Sequence, residues 1–272
     1  MKKIFFAILA LLFVAVQVNA ATWVAKDRVT PVGNQILTKN KITAKLTFKV
    51  VEGVADNSEI VKTKVLNISE NDLQYAGNDN EVAAAISNEL GHVICCHTDK
   101  AKMRNLIIGT GTNTDNTITN AINSDFVSSK ISQKENEEAD VTGVNLMITA
   151  GYNPLALIVW VTKHPGSTMD ILKSRPNNFD RAMVTYKYLT YAYPSKVKAG
   201  YACQEYSIFL AHAEPVMKKL TKNKKKLAKF NKEQQKLIDE RNEDLAKYKV
   251  NGGLNGWGVT YDWLTQTESK SK

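Results

Sequence analysis

Between Ile42 and Val51, apolar Ile42, Ala44, Leu46, Phe48 and Val50 alternate with Thr43, Lys45, Thr47 and Lys49. Side chains of an extended chain point to opposite faces in turn, so this run predicts a strand with one buried face. Glu52-Gly53 can turn the chain, and Ile60 to Leu66 reads as a second β-rich segment, placing a small sheet ahead of the helices. The period then changes: Val82, Ile86, Leu90 and Val93 recur at helical spacing and predict a helix over Asn80–His97. Asn78, followed three residues on by Glu81, suits its start. Residues 109–128 are rich in Gly, Thr, Asn and Ser and predict a loop; their G-T-G-T lacks the Lys-Ser/Thr ending of a phosphate loop. Glu135–Ala150 is a further helix, stopped by Gly151 and Pro154, and Leu155–Thr162 and Phe179–Tyr193 are two more.

Glu205 to Tyr248 reads as one long or broken helix with Leu220, Leu227, Phe230, Leu237 and Leu245 as its apolar seam. Asn223, Gln234 and Arg241 interrupt the seam, which favours packing back on the parent domain over an extended coiled coil. From Asn251 the chain is Gly- and Asn-rich, with Trp257, Tyr261 and Trp263 as docking anchors. The elements add up to an α+β chain: a mainly helical domain, a small N-terminal β-sheet and a C-terminal helical extension.

The first residues stand apart. Lys2 and Lys3 precede an apolar run from Ile4 to Val18 broken only by Gln17, and Val18-Asn19-Ala20 offers a cleavage site before Ala21. This is the build of a secretory signal peptide, so the mature chain is expected in the periplasm or secreted. The alternative, a retained membrane anchor, is disfavoured by the shortness of the run. The division that follows is 1–20 signal peptide, 21–200 globular domain, 201–250 basic helical extension and 251–272 tail. With 272 residues there is enough chain for one sizeable core plus an appendage. A charged fraction of 23% against 43% hydrophobic is that of an ordinary globular protein.

The net charge of +9 is concentrated in one run, Lys218, Lys219, Lys222, Lys224, Lys225, Lys226 and onward to Lys232. Such a run suits an anionic surface, with a solvated helix face as the plainer alternative; no nucleic-acid-binding motif accompanies it. Cys95, Cys96 and Cys203 allow either one bridge from the adjacent pair to Cys203 or three free thiols.

The chemistry concentrates at A-I-S-N-E-L-G-H-V-I-C-C-H, residues 85–97. In an H-E-x-x-H helix the two His, four residues apart, share a face and grip one zinc ion, while the Glu takes a proton from zinc-bound water. Farther on come N-E-E-A-D-V-T-G at 136–143, A-G-Y-N-P at 150–154 and S-R-P-N-N-F-D-R at 174–181; upstream lies V-G-N-Q-I-L at 32–37. In order and spacing these blocks resemble metallopeptidase family 48, the HtpX-like and CAAX prenyl protease zinc metallopeptidases, over roughly residues 30–195. That family's forms are H-E-L-G-H-x-x-x-x-H, E-x-x-x-D followed by x-x-G and A-G-Y-x-P, and S/T-H-P…R. The resemblance implies a zincin-like fold, Glu89 as general base, His92 as a metal ligand, and Asn88 and Asn136 at the two other ligand positions. It also implies Asp140 and Arg175 as supporting residues around them, Arg175 standing where the family has His.

Two of three ligand positions are thus Asn, whose neutral amide oxygens suit hard cations better than zinc. Glu135 or Glu137 could stand in for Asn136 only against the 100° turn per helical residue. A relocated site from His92, Cys96 and Glu89 is a further possibility, against plain helix packing for Cys95 and Cys96. His97, His164 and His212 read as structural, and no G-x-S-x-G run points to another hydrolase. The resemblance therefore implies a pseudopeptidase that binds proteins or peptides without zinc. The alternatives are a zinc metalloendopeptidase with a changed ligand set and an adaptor that uses the basic helix on anionic surfaces.

Overall fold

The computed structural model describes residues 23–42, 44–95, 97 and 117–250; the expected signal segment, Cys96 and the tail with Trp257, Tyr261 and Trp263 lie outside them. The chain opens with α1 (Ala25–Lys39), which buries Val29, Val32, Gly33, Ile36 and Leu37 at helical spacing despite an internal Pro31. No helix was expected there. Its stability comes from the face it buries rather than from propensity.

Strand β1 (Thr47–Val51) is shorter than the expected Ile42–Val51. Ile42 and Leu46 are buried, but Ile42 closes α1 through its N–H to Leu37 O instead of joining a ladder. Ile60–Leu66 is a strand only at its end: α2 (Ile60–Thr63) occupies its first half, and Lys64, in the left-handed region at φ 57, leads into β2 (Val65–Ser69). The two strands pair in parallel, Thr47 opposite Val65 and Val51 opposite Ser69. A parallel pair needs a crossover rather than a tight hairpin, and the segment carrying α2 supplies it. Leu66 and Ile68 are wholly buried beneath this ribbon.

After the single turn α3 (Glu70–Leu73) comes α4 (Asp79–Ile94), whose cap Asn78 accepts from the N–H groups of Asn80 and Glu81. The helix starts where expected and ends earlier, at Ile94. Helix α5 (Thr117–Ala150) runs 34 residues, overriding the C-terminal part of the expected loop. The Gly residues of that stretch, Gly109 and Gly111, precede Thr117; from there to Ser128 no Gly or Pro breaks a helix. Gly151 at φ 87 closes it, as expected.

Helices α4 and α5 approach at backbone distance. A Cβ on Gly143 would stand 2.9 Å from Ser87 O, and one on Gly91 would collide with Ala139 O. Helix α6 (Leu155–Lys163) is buried from Leu155 to Val161 and forms the centre of the core. Around it lie α7 (Thr168–Leu172), α8 (Phe179–Ala192) and α9 (Pro194–Ala199).

The last long segment is two helices, α10 (Gln204–Leu220) and α11 (Lys224–Val250). Their inward residues Tyr206, Phe209, Ala213, Met217, Phe230, Ile238 and Leu245 belong to the same hydrophobic core as the rest. The buried row of α11 is Phe230, Gln234, Ile238, Arg241 and Leu245, whereas Leu227 and Leu237, placed in the expected seam, are 41% and 54% exposed. The result is a mainly helical chain with one small two-stranded parallel sheet, α+β in the broad sense. No helix among the described residues is long and apolar enough to cross a membrane.

Candidate functional site

The Gly91 and Gly143 contacts bring the polar face of α4 against α5, and α8 closes the site with Arg181. Asn88 Nδ2 donates to Asp140 Oδ1 at 2.8 Å. Arg181 grips the same carboxylate with two bonds, Nε to Oδ2 at 2.6 Å and Nη2 to Oδ1 at 2.8 Å. Asp140 is fully buried, so this bidentate pairing supplies its compensating charge. Burial works against the Arg181 charge, yet Asp140, with Asp72 and Glu137 farther off, holds its pKa above the ordinary value.

One turn on, His92 Nδ1 meets His97 Nδ1 at 2.9 Å, and His97 Nε2 lies 3.2 Å from Glu138. The Asn136 side chain lies near His92 and favours its charged form, against the larger effects that follow. Burial, then the charges of His97 and Arg181, lower the His92 pKa to about 3, so its ring is neutral across physiological pH. Glu89 points to the sheet side. Asn57 Nδ2 donates to its Oε2 at 2.8 Å, and Asn57 is itself locked to Asn67 of β2 by bonds to the Asn67 N–H and C=O. Burial pushes the Glu89 carboxyl up to about 7, against the opposing pull of Asn57; Asp72 adds to the rise and Arg181 opposes it.

The structure therefore gathers Asn88, His92, Asn136 and Asp140 in one place, with Glu89 on the same helix beside them. It does not bring in Arg175. That residue bonds Asp170 at 2.8 Å and Asp180 at 2.7 and 2.9 Å, fastening α7 to α8. The cation beside Asp140 is Arg181, the last residue of the same block, and the expectation for Arg175 is corrected accordingly. Of the acids weighed as stand-ins for Asn136, Glu137 accepts from Gln133 and lines a separate cavity. Asn57 was missed, because a lone Asn between two strands carries no motif; only the fold takes it to Glu89.

The buried thiol of Cys95 lies 3.3 Å from Thr142 Oγ1, and the thiol of Cys203 caps α10 by accepting from Tyr206 N–H. Neither takes part in the bridge that the three cysteines allowed. His164 packs between Tyr75 and Trp160, and His212 bonds the carbonyls of Ile208 and Ser174. Lys218, Lys219, Lys222, Lys224, Lys225 and Lys226 are all exposed.

Among the described residues, no group of three or more His, Cys, Asp or Glu side chains is placed to hold a metal ion. At the three positions where the resemblance implies ligands, the donors are one imidazole and two amides, with the Asn88 nitrogen already committed to Asp140. Those donors do not fit zinc, which takes imidazole, thiolate and carboxylate. Chemically the site is a closed polar cluster with one compensated carboxylate, one neutral imidazole and one carboxyl that titrates near neutrality. Comparison of the chain with protein-family models, curated proteins and solved structures finds no match.

Proposed function

We propose that this chain is an exported pseudopeptidase of zincin-like, family 48 type, which binds proteins or peptides and does not cut them. The observation that carries the reading is the meeting of Asn88 and His92, one turn apart on α4, with Asn136 of α5, more than forty residues on in the chain, next to Asp140 and Glu89. The resemblance assigns those positions to the metal and its water. Here Asn88 serves Asp140, and Asn136 and His97 serve His92. A general base without metal-activated water has no nucleophile to make.

Metal analysis and casein cleavage on the purified mature chain test this. The expected outcome is less than stoichiometric zinc and no cleavage. Asn88→His combined with Asn136→Glu is expected to recover tight zinc binding at His92. Stoichiometric zinc in the unaltered chain, with cleavage lost on chelation and in Glu89→Ala, would establish the metalloendopeptidase instead; the near-neutral Glu89 carboxyl is what favours that second reading.

A further inference from the structure

A cavity of about 480 Å³ lies between α5, α8 and α11, on a different face of α5 from Asn136 and Asp140. Val141, Val184, Leu237 and Ile238 give it apolar walls, with Tyr188 and Arg241 among its lining residues. Arg241 is only 7% exposed, and its Nε, Nη1 and Nη2 are all buried with no hydrogen-bond partner. The guanidinium lies over the Tyr188 ring, 5.3 Å from its centroid, while the Tyr188 hydroxyl donates to Asn145.

A buried guanidinium with none of its five N–H groups used costs several kcal/mol relative to a paired one. Four of the five lining carboxylates meet other partners: Glu138 meets Lys134 and His97, Glu240 meets Lys236, Glu233 meets Lys229 and Glu137 meets Gln133. The fifth, Asp244, makes no hydrogen bond to the Arg241 guanidinium. The ring of Tyr188 stabilises the cation through its π face and offers no acceptor. Lys134, Lys187 and Lys236 add three further positive charges to the lining, against five carboxylates. No acceptor meets the three guanidinium nitrogens, and beside them lies apolar space within the size range of small-molecule sites.

We propose that this cavity binds a small monocarboxylate with an apolar tail, of the fatty-acid type. Its carboxylate pairs with Arg241 and its tail lies against Val141, Val184, Leu237 and Ile238. The proposal is independent of the metal-site reading, since the cavity's lining includes none of Asn88, His92 and Asn136.

Calorimetric titration of the full mature chain with decanoate, below its micellar concentration, tests it against 1-decanol, which keeps the tail and removes the charge. Saturable one-to-one binding of decanoate, at least tenfold tighter than decanol, is expected. Arg241→Met preserves the apolar stem and is expected to weaken decanoate at least tenfold while leaving decanol unchanged. Val184→Trp fills the cavity from α8 and is expected to weaken both, which keeps the test open should Arg241→Met fail to fold. Equal binding of decanoate and decanol, undiminished decanoate binding in either variant, or no binding at all would overturn the proposal. A short apolar peptide with a free C-terminal carboxylate that displaces decanoate at lower concentration would overturn the fatty-acid assignment.

Discussion

Glu89 and His92 hold their proton in an arrangement opposite to that of free side chains. The ordinary values are 4.5 and 6.5; in the folded chain burial moves them to about 7 and about 3. Between those limits the folded chain keeps Glu89 protonated and His92 neutral. A raised carboxyl value stabilises below the unfolded pKa, and that contribution is lost as pH rises through about 7. A lowered imidazole value works the other way: stability is full above 6.5 and is lost as pH falls toward about 3. From 4.5 to 6.5 the two slopes oppose each other, each at most about 1.4 kcal/mol per pH unit. In urea melts across that window, Glu89→Gln is expected to gain stability with rising pH relative to the unaltered chain. His92→Gln is expected to lose it. Parallel curves for both variants would contradict the assignment.

At the scale of elements, the crossing of α4 and α5 rests on two glycines where backbone meets backbone. Ala is the better helix former by about 1 kcal/mol, so on propensity alone Gly91→Ala should stabilise α4. The collision with Ala139 O reverses the sign, because neither backbone can yield without parting Asn88 from Asp140. Overpacking of this kind costs about 1–3 kcal/mol net. Thermal melts should show a lowered Tm for Gly91→Ala; an unchanged or raised Tm would mean the helices separate freely. Elsewhere the elements obey their local signals where those are strong: the Asn78 cap, the Gly151 stop and the apolar run of α6 all act as read. Helix α1 does not, since it depends on the buried face that packs against the core.

At the scale of the molecule, α10 and α11 are structural parts of the core. Phe209 and Ala213 are wholly buried, and Phe230, Ile238 and Leu245 nearly so. Removing residues after Tyr201 uncovers the α6 and α8 faces and is expected to abolish cooperative unfolding, seen as dye binding and loss of near-ultraviolet circular dichroism. Ending the chain after Asn223 keeps α10 and is expected to give a folded but less stable protein. If the shorter chain melted as cooperatively as the full one, the last two helices would be an independent appendage. The exposed lysines from Lys218 to Lys226 sit at this α10–α11 junction, whose opposite side is anchored in the core.

The sequence by itself determined whatever depends on neighbours a few residues away. It set the α4 start, the α5 stop and the spans of α6 and α8. Caps, stops and apolar periods act within one or two turns, so they can be read in one dimension. Only the tertiary structure decided the parallel pairing of β1 with β2, the break between Leu220 and Lys224, and the choice of Arg181 over Arg175 for Asp140. It also brought Asn57 to Glu89 and turned Gln234 and Arg241, which interrupt the seam on paper, onto the buried face. Each of these depends on a partner distant in the chain, which local pattern cannot supply, and Arg241 is buried because α11 must cover α8 and α5 with whatever its inner row contains.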